Sequence, residues 1–369
     1  MTNVHQRIAR TLSIALASLL VLLVLGAAPA AGQGNAGAVF TLSNDAGGNA
    51  VVVFDRAADG TLTPAGSVAT GGLGSGAGLG SQGSLVLSDD GRVLLAVNAG
   101  SDELSAFAVS GSGIALTDVA NTGGDLPISV TIHGNLIYVL NAGSDELTGL
   151  RISGRGELTR LKRSAVGLSS AGVGPAQVEF TPNGRQVVVT EKNTNLIDLF
   201  RVRANGRLSG PSTVASEGAT PFGFAFDPKG RLVVSEAFGG APDASAMSSY
   251  RVGNKTLTTI SASVPTGQTA ACWVVVTPDG RFAYTTNTGS ASVSGYDIAS
   301  DGALSLFASV AGATNAGPID MGLAGGDFLY TLDSGAGTIS AFGIGSDGSL
   351  SAIAGASGLP ASAVGLAVS

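Results

Sequence analysis

One cysteine, two histidines, one tryptophan and only 12% charged residues leave this 369-residue chain short of the usual catalytic groups. The lone thiol, Cys272, has no partner for an intramolecular disulfide, so packing and topology must supply the stability. It stands beside Trp273 at what reads as the start of an inner strand, and with no histidine beside it the expectation is a buried, inert thiol. After residue 31 the only histidine is His133, which leaves neither a histidine-rich zinc site nor a Ser-His-Asp triad. A Gly-x-Ser-x-Gly elbow is absent too. Basic residues are scarce, 19 against 26 acidic, for a net charge of −7. Nucleic acid is therefore excluded as a partner, since phosphate contacts need Lys and Arg. Long apolar runs are missing beyond Leu12–Leu25, and no 3.6-residue apolar period follows residue 31, so a helical fold is excluded.

What the chain has is glycine, 56 residues of it, and repetition. Asn-Ala-Gly-Ser-Asp-Glu-Leu occurs at Asn98–Leu104 and again at Asn141–Leu147, 43 residues apart. A period of this length, filled with short strands, marks a four-stranded propeller blade. Turn dipeptides ending in Gly punctuate it: Asp90-Gly91, His133-Gly134, Asn183-Gly184, Lys229-Gly230, Asp279-Gly280 and Gly325-Gly326. Glycine there suits the positive φ of a tight hairpin. A second set, including Asp59-Gly60, Arg155-Gly156 and Asp347-Gly348, separates a third strand from a fourth. Each unit thus has strands A to D, counted outward from the axis.

Six units begin with an A strand, near Gly83, Leu126, Pro175, Phe222, Ala271 and Pro318, whereas the first begins at a B strand, Ala38–Ser43. The missing inner strand is Ala361–Ser369 at the other end of the chain. The fold expected is all-β: a seven-bladed β-propeller with four antiparallel strands per blade, closed by the C-terminal strand pairing into the N-terminal blade. It occupies residues 32–369. Residues 1–31 read as a signal peptide, with a basic start at His5, Arg7 and Arg10, the apolar run, and Ala28-Pro29-Ala30 as cleavage site. Removing them takes the net charge to −9, with no membrane span left in the mature chain. A secreted or periplasmic monomer is expected.

Propeller geometry places the A–B and C–D turns on one face and the longer D–A and B–C loops on the other. Around the loop-face mouth, B strands end at Asn44, Asn98, Asn141, Glu191, Glu236, Asn287 and Asp333, and A strands start with Gln82, Ser129, Gln177, Phe222, Trp273 and Asp320. Asparagine at a strand end caps its own loop. Glu191, Glu236, Asp320 and Asp333 fit capping less well and make the mouth acidic. No cofactor is required, yet such a rim suits Ca²⁺ or Mg²⁺ through oxygen ligands; solvated loop carboxylates are the alternative. Gly78-Leu-Gly-Ser-Gln-Gly83 matches a dinucleotide fingerprint only by pattern, because it precedes a strand, and reads as a flexible D–A loop.

Gly174-Pro-Ala-Gln-Val-Glu-Phe-Thr-Pro-Asn-Gly-Arg185 and Cys272-Trp-Val-Val-Val-Thr-Pro-Asp-Gly-Arg-Phe-Ala-Tyr284 resemble the seven-bladed lactonase propellers, which include 6-phosphogluconolactonases and fungal carboxymuconate-lactonizing enzymes. Phe282-Ala-Tyr-Thr-Thr-Asn-Thr-Gly-Ser290 is similar to the Tyr-Val-Thr-Asn propeller repeats of surface proteins. The lactonase resemblance implies an active site where Pro-Arg-His opens one inner strand and Asn-Glu closes the next. This chain carries Pro175-Ala176-Gln177 and Glu191-Lys192 there. Implied are hydrolysis of a lactone or sugar-acid lactone, with Glu191 or Glu236 as general base and Lys192 stabilising the oxyanion. Gln177, Trp273, Asp320 and Asp333 would line the ligand site. The second resemblance implies a non-catalytic extracellular propeller that binds a glycan or a protein through the loops Thr70–Gly83 and Gly239–Ala246 and through Trp273.

Overall fold

The computed structural model describes residues 36–369, so the targeting segment expected over 1–31 lies outside the described residues. Seven four-stranded antiparallel sheets follow one another round a ring. The inner strands are Val364–Val368, Leu85–Leu87, Pro127–His133, Pro175–Phe180, Pro221–Phe226, Ala271–Val276 and Pro318–Ala324, for blades one to seven. In the third blade the outer strand is broken into Leu158–Arg160 and Val166–Gly167. Among the described residues the helical content is one 3-10 turn, Phe238–Gly240.

Closure is as expected. Val364–Val368 pairs antiparallel with Gly37–Leu42, with Val39 opposite Val368 and Leu42 opposite Val364. The Ala38 amide donates to Ser369 Oγ at 2.8 Å, and Ser362 Oγ donates to the Ser43 carbonyl at 2.7 Å. One residue of the predicted rim shifts. Ser43 holds the ladder position in blade one, its amide donating to Ala50 O, so Asn44 lies one residue beyond, at φ 49°.

Burial falls from the axis outward. Arg231–Glu236, a B strand, is buried at every position, whereas Leu62–Ala69, a D strand, is buried only at Leu62. Middle strands are covered on both faces because blades stack side against side, and the buried apolar residues form seven clusters, one at each interface. A buried tyrosine three residues before the end of the B strand ties some blades to the next. Tyr138 Oη donates to Gly206 O at 2.7 Å, Tyr284 Oη to Gly348 O at 2.8 Å and Tyr330 Oη to Gly60 O at 2.8 Å. Each acceptor is the glycine of a C–D turn, at φ between 76° and 82°.

Candidate functional site

The B-strand ends do not form an open acidic rim. Glu191, Glu236 and Asp333 are fully buried. Each faces a hydroxyl-bearing neighbourhood within its own blade. Glu236 accepts from the Gly218 amide at 2.8 Å, from Ser248 Oγ at 2.5 Å and from Ser263 Oγ at 2.6 Å. Glu191 accepts from the amide of Ser169 at 3.0 Å, and from Ser169 Oγ and Thr194 Oγ1 at 2.6 Å each. Asp333 accepts from Ser340 Oγ at 2.5 Å and Thr331 Oγ1 at 2.8 Å, and burial raises its pKa. Asparagines play the same part elsewhere: Asn98, Asn141 and Asn287 donate through Nδ2 to Ser105, Thr148 and Ser294, each seven residues on. Capping therefore extends from the asparagines to the acids. These bonds consume both oxygens of Glu191 and Glu236 and leave neither a water-facing edge. Among the described residues no three His, Cys, Asp or Glu side chains are grouped to hold a metal ion.

The loop-face mouth itself is filled. Gly80–Gln82, expected to be flexible, crosses the channel and bonds to several other blades. Lys192 Nζ donates to Gly80 O at 2.5 Å, Ser81 Oγ to Ile128 O at 2.8 Å, and the Gln82 amide to Ala176 O at 3.0 Å. On the far side Gln82 clasps Val274, its Oε1 accepting from the amide and its Nε2 donating to the carbonyl, both at 3.2 Å. Gly223 leaves room for this crossing, since a Cβ there would collide with Gln82 Oε1 and the Cys272 carbonyl. Lys192 also lies over the Phe222 ring, 4.8 Å from its centroid, and burial lowers its pKa to about 8. Phe222 stacks on Trp273 at 5.1 Å. Trp273 is thus part of the packing under the loop, 4% exposed, with no partner for its indole N–H. Cys272 is buried as expected, its thiol pushed up to about 11 by desolvation.

Below the Gln82 crossing the channel opens into a cavity of about 520 Å³ that extends to the A–B turns. Register sets its tiers. Val130, Val178, Phe224, Val274, Met321 and Leu366 occupy equivalent ladder positions, so the next residue of each strand forms one ring round the axis. That ring reads Thr131, Glu179, Ala225, Val275, Gly322 and Ala367, with Val86 from the second blade, and Glu179 is its one charged member. One tier nearer the loop face stand Gln177 and Asp320. Both were expected at a ligand site, and both line the cavity.

Gln177 is fixed rather than free: its Oε1 accepts from the Phe224 amide at 2.6 Å, and its Nε2 donates to Phe224 O and to Glu179 Oε2, both at 2.9 Å. Burial raises the Glu179 pKa to about 8, aided by the charge of Asp89 and opposed by the Gln177 bond. Asp320 is 3% exposed, its Oδ1 accepts from the Met321 amide at 2.8 Å, and the Leu366 amide of the first blade also bears on its carboxyl. Desolvation holds its carboxyl well above the usual range. A cavity carboxyl held at about 8, as Glu179 is, can exchange protons near neutrality. Sequence reasoning missed Glu179 because it sought acids at strand ends; the signal available was a charged residue in the inner-strand position that other blades fill with Val, Ala, Thr or Gly.

A closed ring of seven four-stranded antiparallel blades defines a class, the seven-bladed β-propellers. Residues 47–173 and 167–237 match the family described as Lactonase, 7-bladed beta-propeller, and the chain belongs to that family. No curated protein matches the sequence. Among solved structures, a Lactobacillus plantarum protein is similar at 20% identity and TM-score 0.73, over 90% of this chain and 98% of the other. The periplasmic gluconolactonase of Pseudomonas aeruginosa is similar at 17% identity and TM-score 0.69, over 89% and 99%. A Bacteroides fragilis protein provisionally called a 6-phosphogluconolactonase is similar at 18% identity and TM-score 0.69, over 90% and 98%. At these identities the likeness is one of fold.

Proposed function

We propose that this chain is an exported lactonase-family propeller that hydrolyses an unphosphorylated lactone or sugar-acid lactone held in the central channel. One observation carries the choice of substrate. The cavity is lined by carboxyls, Gln177, Thr131, His133 and apolar side chains, with no Lys or Arg. A phosphorylated sugar would enter such a site without a cation to meet its phosphate, whereas a neutral ring with a carbonyl and hydroxyls finds donors and acceptors. Family membership supports the reaction class, and the Pseudomonas gluconolactonase supports the kind of substrate. Export rests on the basic start, apolar run and Ala28-Pro29-Ala30 of the leading segment.

A second reading, a non-catalytic extracytoplasmic propeller that binds a glycan or a protein, is favoured by the filled loop-face mouth and the fully bonded Glu191 and Glu236. Acid release separates the two. The purified protein is incubated with glucono-δ-lactone, its 6-phosphate and a γ-lactone, with buffer hydrolysis subtracted. Turnover of the neutral lactones well above that of the phosphorylated one is expected. No turnover of any lactone would leave the binding reading.

A further inference from the structure

Resting on the lactone reading, we propose that Glu179 and Asp320 are the acid–base pair of the channel, on the opposite side of the Gln82 crossing from the loop-face mouth. Ring order puts them nearly across the axis from each other, since blade seven is one of the two blades farthest from blade four. Both line the same cavity, whose ceiling is Gln82 and whose other end lies among the A–B turns. Two further observations separate this pair from ordinary buried acids. Asp320 is almost wholly buried at the cavity wall, with the amides of Met321 and Leu366 as its backbone partners and no side-chain donor, whereas the blade acids Glu191, Glu236 and Asp333 are also met by hydroxyls. Glu179 keeps one oxygen, Oε1, clear of the Gln177 bond and is half-buried, open to the cavity. A proton held on Asp320 turns its carboxyl into a hydrogen-bond donor at the cavity wall.

The step balances with water as the only co-reactant. Glu179 as carboxylate takes a proton from water while the water oxygen bonds to the lactone carbonyl carbon. Asp320 gives its proton to the carbonyl oxygen as charge develops there, the role of an oxyanion donor. When the tetrahedral intermediate collapses, the ring C–O bond breaks and the departing oxygen takes the proton held by Glu179. Asp320 recovers its proton as the new carboxyl forms, and a hydroxy acid leaves. Gln177, which donates to Glu179 Oε2, is a positioning residue: it fixes which oxygen of Glu179 faces the water.

The titratable groups lining the cavity are Asp89, His133, Glu179 and Asp320. With Glu179 titrating at about 8, kcat/KM rises with pH through that value.

The test uses the purified protein and glucono-δ-lactone in a pH-stat, buffer rate subtracted. Glu179→Gln is expected to lower kcat/KM by about 100-fold or more, and Asp320→Asn by at least about 10-fold, at unchanged melting temperature. Gln177→Ala is expected to displace the pH profile more than it lowers the plateau. If the unaltered protein turns the lactone over and folded Glu179→Gln keeps its rate within about twofold, the pair is overturned while the lactone reading stands. If the unaltered protein shows no turnover, the lactone reading fails and takes the pair with it. Should the variants not fold, the profile of the unaltered protein decides: a rate independent of pH from about 6 to 9 overturns the pair, and a rise through about 8 supports it.

Discussion

At position 198 the repeat places a carboxyl where five of the other blades place a hydroxyl and the first places Val52. Ser105, Thr148, Ser294 and Ser340 each meet the strand-end residue seven positions before them, and Asp198 meets Glu191 in the same way. Glu191 already accepts from Ser169 and Thr194, and buried Asp198 is met only weakly, by the Ser169 amide that also serves Glu191. Asp198 therefore keeps its proton and offers it to Glu191. Burial first, then the charge of Glu191 and that shared hydrogen bond, raises its pKa to about 8. The unfolded chain releases this proton near the ordinary carboxyl value of 3.8. Between those two values the folded form binds more protons than the unfolded form, so stability falls as pH rises. Asp198→Asn removes that slope while leaving a donor for Glu191. The variant is expected to melt at least about 2 °C higher at pH 8, a shift equivalent to ~1 kcal/mol in a larger domain. Equal melting curves across the pH range would show that the pair does not share a proton.

Among the elements, the loop Thr70–Gly83 decides which end of the channel is open. Its last residues span the axis through bonds to Ile128, Ala176, Lys192 and Val274. The repeat pattern makes this stretch a connection, and its glycines read as flexibility. Those same glycines let the backbone pass close to the inner strands: a Cβ on Gly83 would press on Ser129 Oγ, and Gly80 needs φ 58°. Replacing residues 79–82 with a two-glycine link should uncover the Phe222–Trp273 pair. Trp273 is the only tryptophan, so its fluorescence reports the change. Acrylamide quenching is expected to rise severalfold; an unchanged quenching constant would mean that other side chains, not this crossing, shield the mouth.

On the scale of the whole ring, stability rests on seven similar interfaces and one non-covalent seam. Six blades are continuous in sequence, and the first is completed by a strand from the other end of the chain. Deleting residues 361–369 removes the ladder of Val364–Val368 with Gly37–Leu42 and empties part of the cluster that holds Val39, Tyr330 and Leu366. Each large apolar side chain lost from that cluster costs about 1.5–3 kcal/mol, and the bared B strand becomes an edge able to pair with another chain. Aggregation or a melting temperature lowered by more than about 10 °C is expected. A monomeric truncated protein with an unchanged melting temperature would place the seam elsewhere.

The architecture was legible in the sequence because it is periodic. Gly at turn positions, apolar B strands and a C-terminal run with no blade of its own each follow from local rules that act within a few residues. Gln177 and Asp320 were legible as channel residues for the same reason: their place is fixed by counting from the turn. Only the tertiary structure decided which polar groups are free. Glu191, Glu236 and Asp333 bear the same functional group as Glu179 but are saturated by Ser169, Thr194, Ser248, Ser263 and Ser340, most of them well separated along the chain. The Gln82–Val274 bond joins residues 192 positions apart. Whether a carboxyl caps a loop or faces a cavity depends on donors that folding brings from other strands, and no spacing along one strand encodes them.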